Sequence, residues 1–152
     1  MKRIMLIMAI ACCMLGLGNS AAYAKYTWVI SSDTIGYYVD YDSKTYFNGH
    51  LFYWVKLKYE DEETRQAEIK YNMAGRRNEV DYSNFYYTQQ RMETYYRNDG
   101  ACMCKINEII DFDYNGKIIN WDNYGRESNK FYIYTPDSIG KYIDDCVRAY
   151  TK

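Results

Sequence analysis

The chain is 152 residues long with 19 basic and 20 acidic side chains, a near-neutral balance that excludes nucleic acid as a partner, since phosphate-backbone binding needs a basic excess. At 48% hydrophobic and 26% charged it is too apolar to stay unfolded. A single histidine excludes multi-histidine metal sites and most histidine-based catalysis, which leaves the 20 tyrosines as the compositional signal.

Met1, Lys2 and Arg3 open the chain with positive charge, residues 4–17 are apolar except for Gly16, and Ala22-Tyr23-Ala24 ends the segment with small residues at alternate positions. That order predicts a secretory signal at 1–24, cleaved after Ala24. The apolar run is shorter than the roughly 20 residues a membrane span needs. The apolar stretch ahead of Cys12 and Cys13 is short for a lipid-anchoring site. The mature chain, 25–152, is then one exported domain without a membrane span, destined for the periplasm or the cell surface. In such a compartment its three cysteines, Cys102, Cys104 and Cys146, predict one disulfide and one remaining thiol. No Cys-x-x-Cys is present to support a redox or zinc motif.

Residues 26–30 are β-branched and aromatic and predict a first strand; 37–40 predict a second, short one. Asn48-Gly49 is a turn in which both residues tolerate positive φ. The strand at 50–59 alternates, with Leu51, Tyr53, Val55, Leu57 and Tyr59 on one face and His50, Phe52, Trp54, Lys56 and Lys58 on the other. Residues 60–65 are charged and predict an exposed segment. From 66 to 98 the pattern reads half strand, half loop: Ala67-Glu68-Ile69-Lys70-Tyr71 alternates, whereas the apolar positions of 82–96 fit neither period. Asn98-Asp99-Gly100 is a turn. Beyond it Cys102, Cys104, Ile106, Ile110, Phe112 and Tyr114 share a strand face, with Glu108 as the exception. Asn115-Gly116 predicts a hairpin into 117–121, and 131–134 predict the last strand.

Thr135 as N-cap, Pro136 in the first turn and Asp137 beside the dipole predict a C-terminal helix. Ile139, Tyr142, Ile143, Cys146, Val147 and Tyr150 form its apolar stripe. The elements sum to an α+β domain, an antiparallel sheet of about five to seven strands packed by that helix. Cys146 on the inward stripe is placed to bond Cys102 or Cys104, which point the same way along their strand. Such a bridge would add about 4 kcal/mol in the chain-entropy model.

Asp111, Asp113 and Asn115, with Asp122 at the twelfth position, space like oxygen ligands of a calcium loop. Asp122 stands where a bidentate Glu is usual, and the strand-like flank makes an Asn-Gly hairpin the better reading, with no metal or other cofactor. His50 has no second histidine and no motif serine or cysteine near it in sequence, so it reads as a polar strand-edge residue rather than a base. With no catalytic motif present, the chain does not read as an enzyme. Tyrosine and arginine are the residue types that dominate protein interfaces. Arg76, Arg77, Tyr86, Tyr87, Arg91, Tyr95, Tyr96 and Arg97 combine both and form the candidate binding surface; the alternative is a coat on a half-wet sheet, where tyrosine also thrives.

Trp28, the run Tyr37-Tyr38-Val39-Asp40-Tyr41-Asp42-Ser43, a strand cysteine, the hairpin at 114–117, and Thr135-Pro136-Asp137-Ser138 leading to Cys146 together resemble the bacterial surface-adhesin protein E family. The likeness spans most of 25–152 apart from 61–98. It implies an antiparallel sheet with a C-terminal helix and a cysteine pair joining strand to helix, with Cys102 favoured over Cys104. Its studied members bind host matrix and serum proteins and can dimerise. The doubled cysteine departs from the family pattern. The expected function is therefore an exported, non-enzymatic protein-binding domain, the alternative being a periplasmic or envelope structural protein without a host ligand.

Overall fold

In the computed structural model the described residues are 25–75, 80–123 and 130–151, so the proposed signal at 1–24 lies outside them. An antiparallel sheet runs through six strands in chain order: β1 (Tyr26–Ser31), β2 (Ile35–Phe47), β3 (His50–Tyr59), β4 (Phe85–Tyr96), β5 (Cys102–Asp113) and β6 (Ile118–Asp122). A short β7 (Tyr132–Ile133) pairs with β5 beyond the end of β6. Two helices, α1 (Glu62–Gly75) and α2 (Ile139–Ala149), complete the expected α+β architecture. None of the described helices is long and apolar enough to cross a membrane.

Glycines and asparagine make the tight turns. Asn48 and Gly49 both take positive φ, 49° and 79°, at the β2–β3 hairpin. Gly100 and Gly116, at 85° and 76°, close the next two hairpins, because an L side chain is strained there. Alternation along β3 follows the prediction. Leu51, Tyr53, Val55 and Tyr59 are buried, and Val39, Met92, Ile143 and Val147 join Leu51, Tyr53 and Val55 in the main core.

The middle of the chain is not half strand and half loop. Asp61 caps α1, its Oδ1 accepting from Thr64 N at 3.0 Å, and Glu62 and Glu63 complement the dipole of the first turn. Gln66 and Asn72 donate back one turn to Glu62 and Glu68. The segment at 67–71 is therefore helical, and its alternation is coincidental. Nor is Arg65 exposed: only 7% accessible, it grips Glu62 and donates to the Phe85 carbonyl at 2.6 Å. With Ile69 against Tyr59, Tyr82 and Phe85, it docks α1 in a second small core.

The C-terminal helix also differs in detail. Its N-cap is Ser138, whose Oγ accepts from Lys141 N, while Thr135 and Pro136 lie in the preceding turn. The helix is rotated from the expected stripe. Ile143, Val147 and the charged Asp144 are buried, and Tyr142 remains half exposed. Asp144, fully inaccessible, accepts from Thr94 Oγ1 at 2.6 Å, from Arg148 Nε at 2.6 Å and from Cys102 Sγ at 3.5 Å.

That rotation overturns the expected disulfide: Cys102, Cys104 and Cys146 are free thiols. Positions 144 and 146 differ by about 200° around a helix, so the residue that meets Cys102 is Asp144. Cys146 is instead felt by Tyr41 on β2. Burial, followed by Asp144, pushes the Cys102 thiol up to about 12, which suppresses the thiolate needed for exchange.

The signature around Tyr41 has a structural task. Between Asp40 and Thr45 the β2–β3 register slips. Within this bulge Ser43 Oγ donates to the Asp40 carbonyl at 2.6 Å and accepts from Trp54 N at 2.9 Å. The bulged chain reaches the end of α2. Lys44 donates to the carbonyls of Arg148 and Tyr150, and Tyr41 stacks on Tyr150 at 4.3 Å.

Candidate binding face

Both helices pack against the side of the sheet that carries Val55 and Tyr59. The opposite side bears no described helix, and strand register organises it. Trp28, Tyr38, Lys56, Gln89, Ile110 and Trp121 stand level across six strands, a row about 24 Å wide at the usual strand spacing. A second row holds Tyr26, Asp40, Trp54, Arg91 and Glu108, and a third holds Lys58, Tyr87, Phe112 and Ile118. Trp28 and Trp121, at the two edges, are 57% and 60% exposed.

These side chains form a connected layer. Lys56 Nζ sits 5.0, 4.8 and 5.5 Å from the ring centres of Tyr26, Tyr38 and Tyr87. Burial, with Lys58 nearby, lowers the pKa of Lys56. Tyr87 stacks on Phe112 at 4.7 Å, and Arg91 pairs with Glu108 at 2.8 Å while lying over Phe52. Toward the β2–β3 turn, Glu93 receives His50 Nδ1 at 2.6 Å, Asn107 Nδ2 at 2.9 Å and Lys105 Nζ at 3.2 Å. The His50 ring stacks on Tyr95 and meets Phe131 edge-on, the packing expected of a structural histidine.

Burial pushes the Glu93 carboxyl up, but the bonds from Asn107, His50 and Lys105 outweigh it and hold its pKa below the ordinary value. The sign follows directly. A depressed folded pKa stabilises the protein above the unfolded value of about 4.3, and the gain disappears as pH falls through the folded pKa. Glu93→Gln is therefore expected to destabilise the protein at pH 7 and to flatten the fall in stability below about pH 4.3. Urea unfolding at pH 7 and pH 3 checks this; parallel pH profiles for both proteins would refute it.

The residues expected to form one binding surface are divided. Tyr87, Arg91 and Tyr95 lie on the open face. Tyr86 sits at its end, stacked on Tyr114 at 4.5 Å. Tyr96 turns to the helix side, over Arg148, with its hydroxyl donating to Asp145. Arg97 closes on Asp99 in the β4–β5 turn. Arg76 and Arg77 lie outside the described residues. Strand parity explains the split, since neighbours such as Tyr95 and Tyr96 point to opposite faces. The same rule, continued from Lys56 and Lys58 into β4, would have found Trp54, Lys56 and their partners.

Residues of the suspected calcium loop do not converge either. Asp111 is 2% exposed and turned inward, accepting from Tyr82 and Thr88. Asp113 Oδ1 accepts from the backbone of Asn115 and Lys117 as part of a hairpin turn, and Asp122 bonds Asn120. Among the described residues no group of three or more His, Cys, Asp or Glu is placed to hold a metal. No family of known proteins, no curated protein and no solved structure matches this chain.

Proposed function

We propose that the protein is an exported binding domain that presents the open face of its sheet to a protein partner. The observation that carries this reading is the aromatic and basic layer from Trp28 to Trp121, opposite the face covered by α1 and α2. Large aromatic rings and arginine supply contact area at low conformational cost. The resemblance to surface adhesins favours host matrix or serum proteins as partners, and the signal-like N-terminus favours export.

Mature protein (25–152) is expected to bind such a partner saturably on a biosensor surface. Arg91→Ala and Trp121→Ala should each weaken the complex about tenfold. Tyr142→Ala, half exposed on the helix side, should leave affinity unchanged. Equal losses for all three, or none for the first two, would assign the contact elsewhere.

A further inference from the structure

Most of the charge on the open face is already matched. Arg91 pairs with Glu108 at 2.8 Å, Lys105 pairs with Glu93 at 3.2 Å, and Asp40, only 8% exposed, accepts from Asp42 N. Lys56 stands apart. Its three ring contacts are uncharged, among the described residues no carboxylate pairs with it, and the charge that acts on it is the like charge of Lys58. Lys58 lies over the Tyr86 ring, and the one carboxylate acting on it, Glu60, is the weakest of its influences. The face therefore carries an unmatched positive centre in a chain whose acidic side chains outnumber its basic ones. Electrostatic complementarity then favours an anionic group on the partner.

Spacing limits the shape of that partner. Trp28, Lys56 and Ile110 stand on alternate strands of one level row, about 9.6 Å apart at the usual strand separation. Three residues of a polyproline II segment advance about 9.3 Å and return a side chain to the same side. A β-strand repeats its face every ~6.8 Å and falls out of step with the row at once. A polyproline segment crossing the strands thus sets every third side chain over Trp28, Lys56 and Ile110. The two exposed indoles suit proline rings. Trp28 Nε1 already donates to Ser31 Oγ at 3.0 Å and Trp121 Nε1 to Glu108 Oε2 at 3.2 Å, so each indole is held in place and offers its ring. Gln89, between Lys56 and Ile110 in the row, carries an amide that can donate to the carbonyls such a segment leaves unbonded.

We propose that the partner docks an acidic, proline-rich segment across this face. Its carboxylate lies at Lys56, one proline stacks on Trp28, and the following prolines run over Ile110 toward Trp121. The proposal rests on the protein-binding reading of the face and adds to it the local chemistry of the partner.

The test is an NMR titration of the isotope-labelled mature protein with a capped proline nonamer carrying glutamate at its fourth position, and with versions carrying glutamine or lysine there. The glutamate peptide should saturate, shift the indole N–H signals of Trp28 and Trp121, and bind about fivefold tighter than the glutamine peptide. The lysine peptide should bind more weakly than either. Lys56→Met should bring the glutamate and glutamine peptides to one affinity. Equal affinities for the unaltered protein, or no saturable shift, would overturn the proposal, and that comparison stands even if Lys56→Met fails to fold. A heparin tetrasaccharide that moves the same indole signals when the peptide does not would assign the anion to a glycan instead. Failure of the peptides while Arg91→Ala and Trp121→Ala still weaken the whole partner would remove this proposal alone. If those two variants bind the whole partner normally, the face itself is the wrong one and both readings fall.

Discussion

Asp144→Ala is expected to lower the unfolding free energy by about 3 kcal/mol, the lower end of the range for breaking a buried ion pair. The carboxylate is fully inaccessible and accepts from Thr94, Arg148 and Cys102. Without it the Arg148 guanidinium loses its counter-charge while its side chain stays only 21% exposed. The lower figure is chosen because Arg148 keeps a bond to Thr94 at 2.9 Å and the Tyr96 ring at 4.6 Å. Asp144→Asn retains the shape but turns an amide against a donor, so it should recover little of the loss. Denaturant midpoints for both variants, with hydrogen exchange along α2, would test the claim. A loss under 1 kcal/mol, or exchange unchanged at 143–147, would mean that apolar packing alone holds the helix.

The second large effect lies beneath α1. Tyr82 is fully buried and donates to Asp111 Oδ2 at 2.8 Å, while Thr88 donates to Oδ1 at the same distance. Tyr82→Phe removes one donor from a carboxylate that is 2% exposed and should cost about 2 kcal/mol, the scale for hydrogen bonds to charged groups. Thr88→Val should cost a similar amount. Because both donors serve one acceptor, the double variant should depart from additivity by more than 0.5 kcal/mol. Calcium should leave the melting temperature of all these proteins unchanged, since Asp111 faces inward. Strict additivity, or a rise in melting temperature with calcium, would contradict the inward carboxylate.

Some elements were legible because their chemistry is local. Asn48-Gly49 and Asn115-Gly116 announce turns through backbone tolerance, and β3 announces itself by clean alternation. Helix α1 was hidden because only Ile69 of its residues is a deeply buried apolar group, and what marks it is a cap and an acidic first turn. A run read as solvated charge contained that cap. Strand β4 was hidden by tyrosine doublets, which place similar residues on both faces. In β5 the exception at Glu108 was a real signal. The register slips beside Asn107, so Ile110 and Phe112 face away from Cys102 and Cys104 instead of sharing their side.

By itself the sequence determined the fold class, most strand positions and the existence of a C-terminal helix, since those follow from periodicity and turn chemistry within a few residues. The rotation of that helix, the free cysteines and the level rows from Trp28 to Trp121 were decided only by tertiary structure. Which side chains meet across strands depends on register and bulges, and a one-residue slip reverses every face. Which side of a helix turns inward depends on the buried partner waiting for it. Here Thr94 and Cys102 receive Asp144, a preference no apolar stripe could record.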